Sequence, residues 1–170
     1  MCKERLELLQ NLFENVNTWL HFVEAKNAAL IAFNIALLAA LISSNLSDFN
    51  ITFFSAIVVG ILISILLSLY SFNPKNKFLE KTRSMGIDAN LLHYAYIASL
   101  TQDEYIKKLY ALYWNDANIN LSTVPQIEKD YTAEIIQNSR IAMKKQSFFR
   151  LAFAVDFFMI VATAILVVCA

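Results

Sequence analysis

Three long runs of apolar residues set the pattern of this chain. Residues 27–47 and 49–74 carry no charge, and residues 151–170 carry only Asp156. A helix crosses the ~30 Å hydrocarbon layer with about 20 predominantly apolar residues, so each run is long enough to span a membrane. The spans are predicted at about 27–47, 52–73 and 151–170. Ahead of the first, Leu6, Leu9, Phe13, Val16, Leu20 and Val23 recur at spacings of three and four, the mark of an amphipathic helix over residues 3–25. Nothing between Phe22 and Leu30 breaks a helix, so it should continue into span one.

The region between spans two and three is punctuated differently. Pro74 ends or kinks span two, a basic stretch runs from Lys75 to Met85, and Gly86 closes it. Residues 88–99 read as a short helix containing His93, Tyr94 and Tyr96. Thr101 followed by Glu104 is a capping box, predicting a helix to about Trp114. Residues 115–123 are a loop by composition, and Ser122 or Thr123 is expected to cap the next helix, with Pro125 in its first turn. No breaker follows, which predicts one helix of about 44 residues, some 65 Å long. Gly and Pro number two each, and no stretch combines strict alternation with hairpin signals. The fold class is therefore an all-α membrane protein: two spanning helices at the N-terminal side, one at the C-terminal side, and a small helical module between spans two and three.

Charge assigns the sides. All fourteen Lys and Arg residues lie before span one or between spans two and three. The link between spans one and two holds one acid, Asp48, and no base. Basic segments stay in the cytoplasm. The expectation is a multi-pass inner-membrane protein with its N-terminus and residues 75–150 cytoplasmic and its C-terminus periplasmic. The domains read as an N-terminal cytosolic amphipathic helix (1–26), a transmembrane hairpin (27–74), a cytosolic helical module (75–150) and a third transmembrane helix (151–170).

Composition agrees: 58% of residues are hydrophobic, more than a soluble domain carries comfortably. Residues 1–26 hold seven charged side chains and no early apolar core, unlike a secretory signal. Cys2 and Cys169 fall on opposite predicted faces, and no Cys/His spacing suits a metal. With net charge zero, no nucleic-acid partner is expected.

Catalytic motifs are absent: there is no nucleophile elbow, P-loop or glycine-rich phosphate loop, and the carboxylates do not pair for acid–base work. His21 and His93 read as helix-surface or interface residues, and no enzymatic activity, metal or resident cofactor is expected. Asp156 stands six residues past Arg150, about 9 Å deeper along a helix. It either faces the bundle or a pore, or reaches back to headgroups or a nearby base such as Arg150. Asn34, inside span one, is suited to hydrogen bonding between helices. Glu24 and Lys26, at the inner mouth of span one, either anchor at the headgroups or couple span one to the module. Span one is rich in alanine, which permits close helix approach, whereas Ile/Leu-rich span two reads as more lipid-facing. Tyr94, Tyr96, Tyr105, Tyr110, Tyr113 and Trp114 are concentrated in the module. Most should pack its core, and one or two are candidates to stack on a nucleobase. Arg140 and Lys144, at i, i+4 spacing, share a helix face able to hold a phosphate or lipid headgroups.

Four stretches, in order, resemble the transmembrane effectors of Pycsar, the bacterial anti-phage system built on pyrimidine cyclic mononucleotides. They are Glu24-Ala25-Lys26 leading into span one as far as Leu38; Asn73-Pro74-Lys75 after span two; His93 to Tyr105, an aromatic–Ile–Ala stretch before a capped helix; and Ile136 to Arg150 before span three. Gln146 departs from the pattern, where an aromatic is expected after the lysine. The resemblance implies that a partner cyclase makes cyclic CMP or cyclic UMP on infection, that the cytosolic module senses it, and that the membrane then loses integrity or potential, causing growth arrest or death. On that reading the ligand-binding candidates are Arg140, Lys144, Lys145, Tyr94, Tyr105 and Trp114, and the membrane or gating candidates are Glu24, Lys26, Asn34 and Asp156. Three helices per chain cannot enclose a pore, so a homo-oligomer in contact with membrane lipid is expected. The alternatives are a holin-like or toxin-like protein without a nucleotide ligand, a small effector answering cyclic oligonucleotides, and a non-enzymatic membrane scaffold.

Overall fold

A computed structural model of the chain describes residues 2–44, 51–73 and 90–169. The basic stretch after Pro74, Gly86 and the link around Asp48 lie outside these residues. The described residues form helices and turns, with no strand. They are α1 (Cys2–Ile42), α2 (Ile51–Ser71), α3 (Tyr94–Ala98), α4 (Gln102–Tyr113), a 3-10 turn (Leu121–Thr123) and α5 (Gln126–Cys169). At 41 and 44 residues, α1 and α5 are as long as the absence of breakers predicted. The chain divides into two compact units, Met1–Phe22 with Lys75–Lys144, and Val23–Pro74 with Lys145–Ala170.

The first unit is built on a core of Leu9, Leu12 and Val16 from α1, Leu91, Ile97 and Leu100 around α3, Tyr105 and Leu109 from α4, and Ile135 and Ile136 from α5. The α1 positions step by three and four, so one face is apolar and buries. In this unit α1 and α5 run parallel: Gln10 Nε2 donates to the Tyr131 hydroxyl at 3.4 Å, and Asn138 Nδ2 to Asn17 Oδ1 at 2.9 Å. Both halves of the capping box at Thr101 are present: the Glu104 amide donates to Thr101 Oγ1 at 3.3 Å, and the Thr101 amide to Glu104 Oε2 at 2.7 Å. Helix α4 stops at Asn115, whose φ of 54° is left-handed, a conformation Asn tolerates better than most residues. A smaller cluster of Ile106, Tyr110 and Val124 lies under Trp114, Ile119 and Leu121.

Two local details differ from the sequence expectation. Helix α3 is a single turn, because His93 takes an extended backbone and its Nδ1 accepts from the Ala95 amide at 3.2 Å, acting as a cap. Ser122 and Thr123 do not cap α5. Asn120 takes both hydroxyls, Ser122 Oγ on its Oδ1 at 2.9 Å and Thr123 Oγ1 on its carbonyl at 2.7 Å. The Pro125 carbonyl instead receives the amides of Glu128 and Lys129, at 3.1 and 3.2 Å, and opens the helix.

The second unit holds the later half of α1, all of α2 and the later half of α5. The three long helices of the chain are each long and apolar enough to cross a membrane. Large apolar side chains cover the outside of this unit, among them Phe33, Ile35, Leu62, Leu66, Phe157, Phe158 and Val168. A continuous apolar exterior belongs against lipid rather than water. The chain is an integral membrane protein. Its inward faces are Val23, Asn27, Leu30, Asn34 and Leu41 on α1; Ile57, Gly60, Ile61, Ser64, Ser68 and Ser71 on α2; and Ala152 and Asp156 on α5. The alanines of span one (Ala28, Ala32, Ala36 and Ala40) point outward within this chain. Gly60 packs against Met159: a Cβ there would meet the Sδ of that flexible side chain, which would have to turn aside.

Candidate functional site

The second unit carries a buried polar cluster where its three helices meet. Asn34 from α1 donates through Nδ2 to Ser64 Oγ and Asp156 Oδ2, each at 3.0 Å. Ser64 Oγ donates to the Ala152 carbonyl at 3.2 Å, tying α2 to α5. Asp156 is 2% exposed, and its second oxygen, Oδ1, has no partner. Asn34 Oδ1, Asn27 Oδ1 and Ser68 Oγ are also buried without a partner. An acid inside a spanning unit costs several kcal/mol unless it is paired or hydrated, so such residues mark function more often than architecture. Asp156 thus points into this unit, toward Asn34.

Asn34 and Asp156 are thus brought together. Glu24 and Lys26 stand elsewhere in the same unit. Glu24 pairs with the ammonium of Lys145, which also lies 5.8 Å from the Phe72 ring centroid. Lys26 Nζ sits 5.6 Å from the Phe149 ring centroid, beside an open groove of about 280 Å³ lined by Ala29, Leu30, Phe33 and Phe153. A cation over an aromatic-walled groove suits a lipid headgroup with its chain below it.

In the first unit the remaining ligand-binding candidates separate into three places. Tyr105 is fully buried, its hydroxyl donating to the Leu91 carbonyl at 3.2 Å. Burial, then the nearby Tyr113, raises its ionisation well above the usual tyrosine range. Trp114 belongs to a second polar cluster. Arg5 Nη1 donates to the Tyr110 hydroxyl at 2.8 Å, and that hydroxyl donates to Glu128 Oε2 at 2.7 Å. Arg5 also pairs with Glu128 (Nε to Oε1, 3.6 Å) and lies 5.6 Å from the Trp114 ring centroid. Burial and then the bond to Glu128 push the Tyr110 hydroxyl up to about 12. The gap among Leu9, Tyr110, Trp114 and Glu128 is too narrow for a water molecule, so this cluster is packed rather than open.

Tyr94 and Arg140 flank the two ends of α3. At its start, Tyr94 stacks on His93 (4.9 Å between centroids) and lies 5.3 Å from Trp19 at 33°. Trp19 keeps 37% of its surface exposed. At its end, the Arg140 guanidinium donates to the Leu100 carbonyl at 2.8 Å and more weakly to Ala98 at 3.4 Å. Lys144, one turn further along α5, is exposed. The neighbourhood of α3 therefore offers aromatic faces and cationic groups.

Sequence reasoning missed Ser64, Ser68, Arg5, Glu128 and Trp19. The one-turn spacing of Gly60, Ser64 and Ser68 in span two was a readable signal: three small or polar residues on a single stripe of an otherwise Ile/Leu-rich helix. Arg5 and Glu128 are too far apart in sequence for any local pattern to pair them.

A membrane protein of three spanning helices, a buried acid at their meeting point and a separate helical module is the class these features define. The model of the Pycsar effector protein domain matches residues 8–170, and the chain belongs to that family. It is an anti-phage defence membrane effector, working in a cyclic-nucleotide signalling context. No curated protein and no solved structure matches it.

Proposed function

We propose that this effector binds a pyrimidine cyclic mononucleotide, cyclic CMP or cyclic UMP from a partner cyclase, through its first unit. Binding then drives its second unit to impair the integrity or potential of the inner membrane, stopping growth before phage spread. The observation that carries the membrane half is the buried Asn34–Ser64–Asp156 cluster inside three spanning helices, in a chain of the Pycsar effector family. The sensing half is supported by the surroundings of α3. The pyrimidine stacks on Trp19 and Tyr94, where base–aromatic contact is worth about 1–3 kcal/mol. The cyclic phosphate is held by Lys144 and by Arg140 at the other end of the helix. Ligand shifts the protein only toward the state it binds better, so the activated state must open or remodel this neighbourhood. Tyr105, packed in the core, contributes by shaping α3 and α4, and Trp114 by holding Arg5 and Glu128.

The protein acts without catalysis, as a homo-oligomer in contact with lipid. Its N-terminus and the module of residues 75–150 are cytoplasmic, and its C-terminus periplasmic, following the distribution of lysine and arginine. A reporter fused after Ala170 checks the orientation. The sensing half is tested by calorimetry and by Trp19 fluorescence on the detergent-solubilised full chain. Cyclic CMP and cyclic UMP are titrated beside their purine counterparts and cyclic dinucleotides, and Trp114→Phe isolates the Trp19 signal. Saturable binding of a pyrimidine cyclic mononucleotide is expected. Preferential binding of a cyclic dinucleotide, or of no nucleotide, overturns it.

A further inference from the structure

The buried polar side chains of the second unit occupy only part of its length. Along α1, Glu24 pairs with Lys145, Asn27 follows, and Asn34 meets Ser64 and Asp156. Seven residues beyond Asn34, Leu41 is buried with Ile57, which lies seven residues before Ser64 on α2. The two helices are therefore antiparallel, and Ser68 and Ser71 stand on the same side of the cluster as Asn27. On the other side lies an apolar layer: Leu41, Ile57 and Ile61, packed by Leu37, Leu38, Phe54, Met159 and Ala162.

Leu30 stands between Asn27 and Asn34 on α1, so on that side of Asp156 the polar row runs along α2 through Ser68 and Ser71, and the other side is sealed. Asn27 Oδ1, Asn34 Oδ1, Ser68 Oγ and Asp156 Oδ1 are all buried and unpartnered. Each such atom is costly inside a membrane, where no bulk water compensates it. Apolar residues of the same size would remove that cost, so packing alone does not account for this row. An acid at the end of a row of polar side chains, behind an apolar constriction, has the parts of a gated proton path.

We propose that the second unit is the closed form of a proton pathway, with Asp156 as its proton-carrying group and Leu41, Ile57 and Ile61 as the gate. This rests on the reading that the effector acts by impairing the membrane. A proton is the species the chemistry of Asp156 suits, and in this closed form nothing larger passes. Asn34 bonds Ser64 and Asp156 directly at 3.0 Å, which leaves no passage for a hydrated metal cation or a metabolite. When the gate loosens, water enters the row. The Asp156 carboxylate takes up a proton arriving past Ser71 and Ser68, and releases it to water admitted between Leu41, Ile57 and Ile61. One O–H bond forms and the same bond breaks, so the carboxylate is regenerated and one proton has crossed. The groups facing Asp156 are Asn34 from α1 and Ser64 from α2, neither of which titrates. The other described charged groups of the unit, Glu24, Lys26, Lys145 and Arg150, belong to residues 23–26 and 145–150.

The test uses the full chain in vesicles of phosphatidylethanolamine and phosphatidylglycerol. A pH-reporting dye is trapped inside, the potential is clamped with potassium and valinomycin, and a second vesicle set carries calcein. Ile61→Ser wets the gate without any nucleotide and should raise proton flux roughly tenfold or more over wild type, with calcein retained. Adding Asp156→Asn should return the flux to the wild-type level. Leu41→Ser samples the same gate from another helix, so the test does not hang on one variant, and size-exclusion profiles confirm folding. Silence of the folded gate variants, flux that survives Asp156→Asn, or calcein loss in step with protons overturns the proposal. A parallel arm adds cyclic CMP or cyclic UMP to wild type. No response there, beside an Asp156-dependent leak in Ile61→Ser, overturns the nucleotide reading and sustains the pathway. A nucleotide-driven leak indifferent to Asp156→Asn does the reverse.

Discussion

Asn34 Nδ2 lies 3.0 Å from Asp156 Oδ2, and through this contact an amide of α1 reaches the one acid of span three. Removing one partner of a buried polar pair costs the desolvation of the other, about 1–3 kcal/mol. Asn34→Ala should therefore lower the melting temperature in detergent, and Asp156→Ala in the same background should recover part of the loss. Interhelical hydrogen bonds in membranes couple by about 0.6 kcal/mol on average and up to about 1.7, so the double-mutant cycle should fall in that range. Strict additivity of the two variants contradicts the contact.

Gly60 faces Met159, whose Sδ, Cγ and Cε stand where an added Cβ would need room. Gly60→Ala makes that side chain turn aside, and because methionine is flexible the cost should not exceed the low end of overpacking, about 1 kcal/mol. In a Met159→Ala background the same substitution should be close to neutral. Thermal melts of the four variants decide it.

Arg140 and Lys144 should separate in their effects. Arg140 holds the carbonyls of Leu100 and Ala98, so Arg140→Ala should destabilise the first unit by about 1–2 kcal/mol as well as weakening the nucleotide response. Lys144 is exposed, and Lys144→Ala should weaken nucleotide binding while leaving the melt within about 0.5 kcal/mol of wild type. Equal melts for both variants, or an unchanged response with Lys144→Ala, contradict this division.

Alkaline pH should loosen the first unit. The Tyr110 hydroxyl is pushed up to about 12 by burial and its bond to Glu128, whereas in the unfolded chain a tyrosine ionises near pH ~10. The folded state holds this proton more tightly. Its stabilising contribution is complete below the unfolded value and is lost as pH rises through the folded one. Melting temperature should fall across that window, and Tyr110→Phe, less stable at neutral pH, should fall less steeply. An unchanged slope argues that another group dominates.

What could be read from the chain alone follows from how local each signal is. The lengths of α1 and α5 needed only the absence of Gly and Pro, and the Thr101–Glu104 box is complete within four residues. The start of α5 was harder, because Asn120 competes for the Ser122 and Thr123 hydroxyls and wins through a 3-10 turn. Tyr94 and Tyr105 look alike in sequence, and only tertiary packing makes one half-exposed and the other fully buried. The inward face of span one was the least legible. Lipid is as apolar as leucine, so hydropathy does not distinguish inside from outside. Alanine-rich composition drew attention to what is the outer face, while the sparse polar residues, Asn27 and Asn34, marked the inner one.

The serines of α2 recur one helical turn apart, and this leaves the pairing with α1 degenerate. Were α2 to ratchet by one turn, about 5.4 Å, Ser68 would replace Ser64 opposite Asn34, and the hydroxyl offered to the amide would be chemically the same. One contact that differs between the two registers is Gly60 against Met159, since the shift would bring the bulkier Ser64 to that seat. Glycine at this position thus favours the observed alignment over one that would offer Asn34 the same kind of hydroxyl.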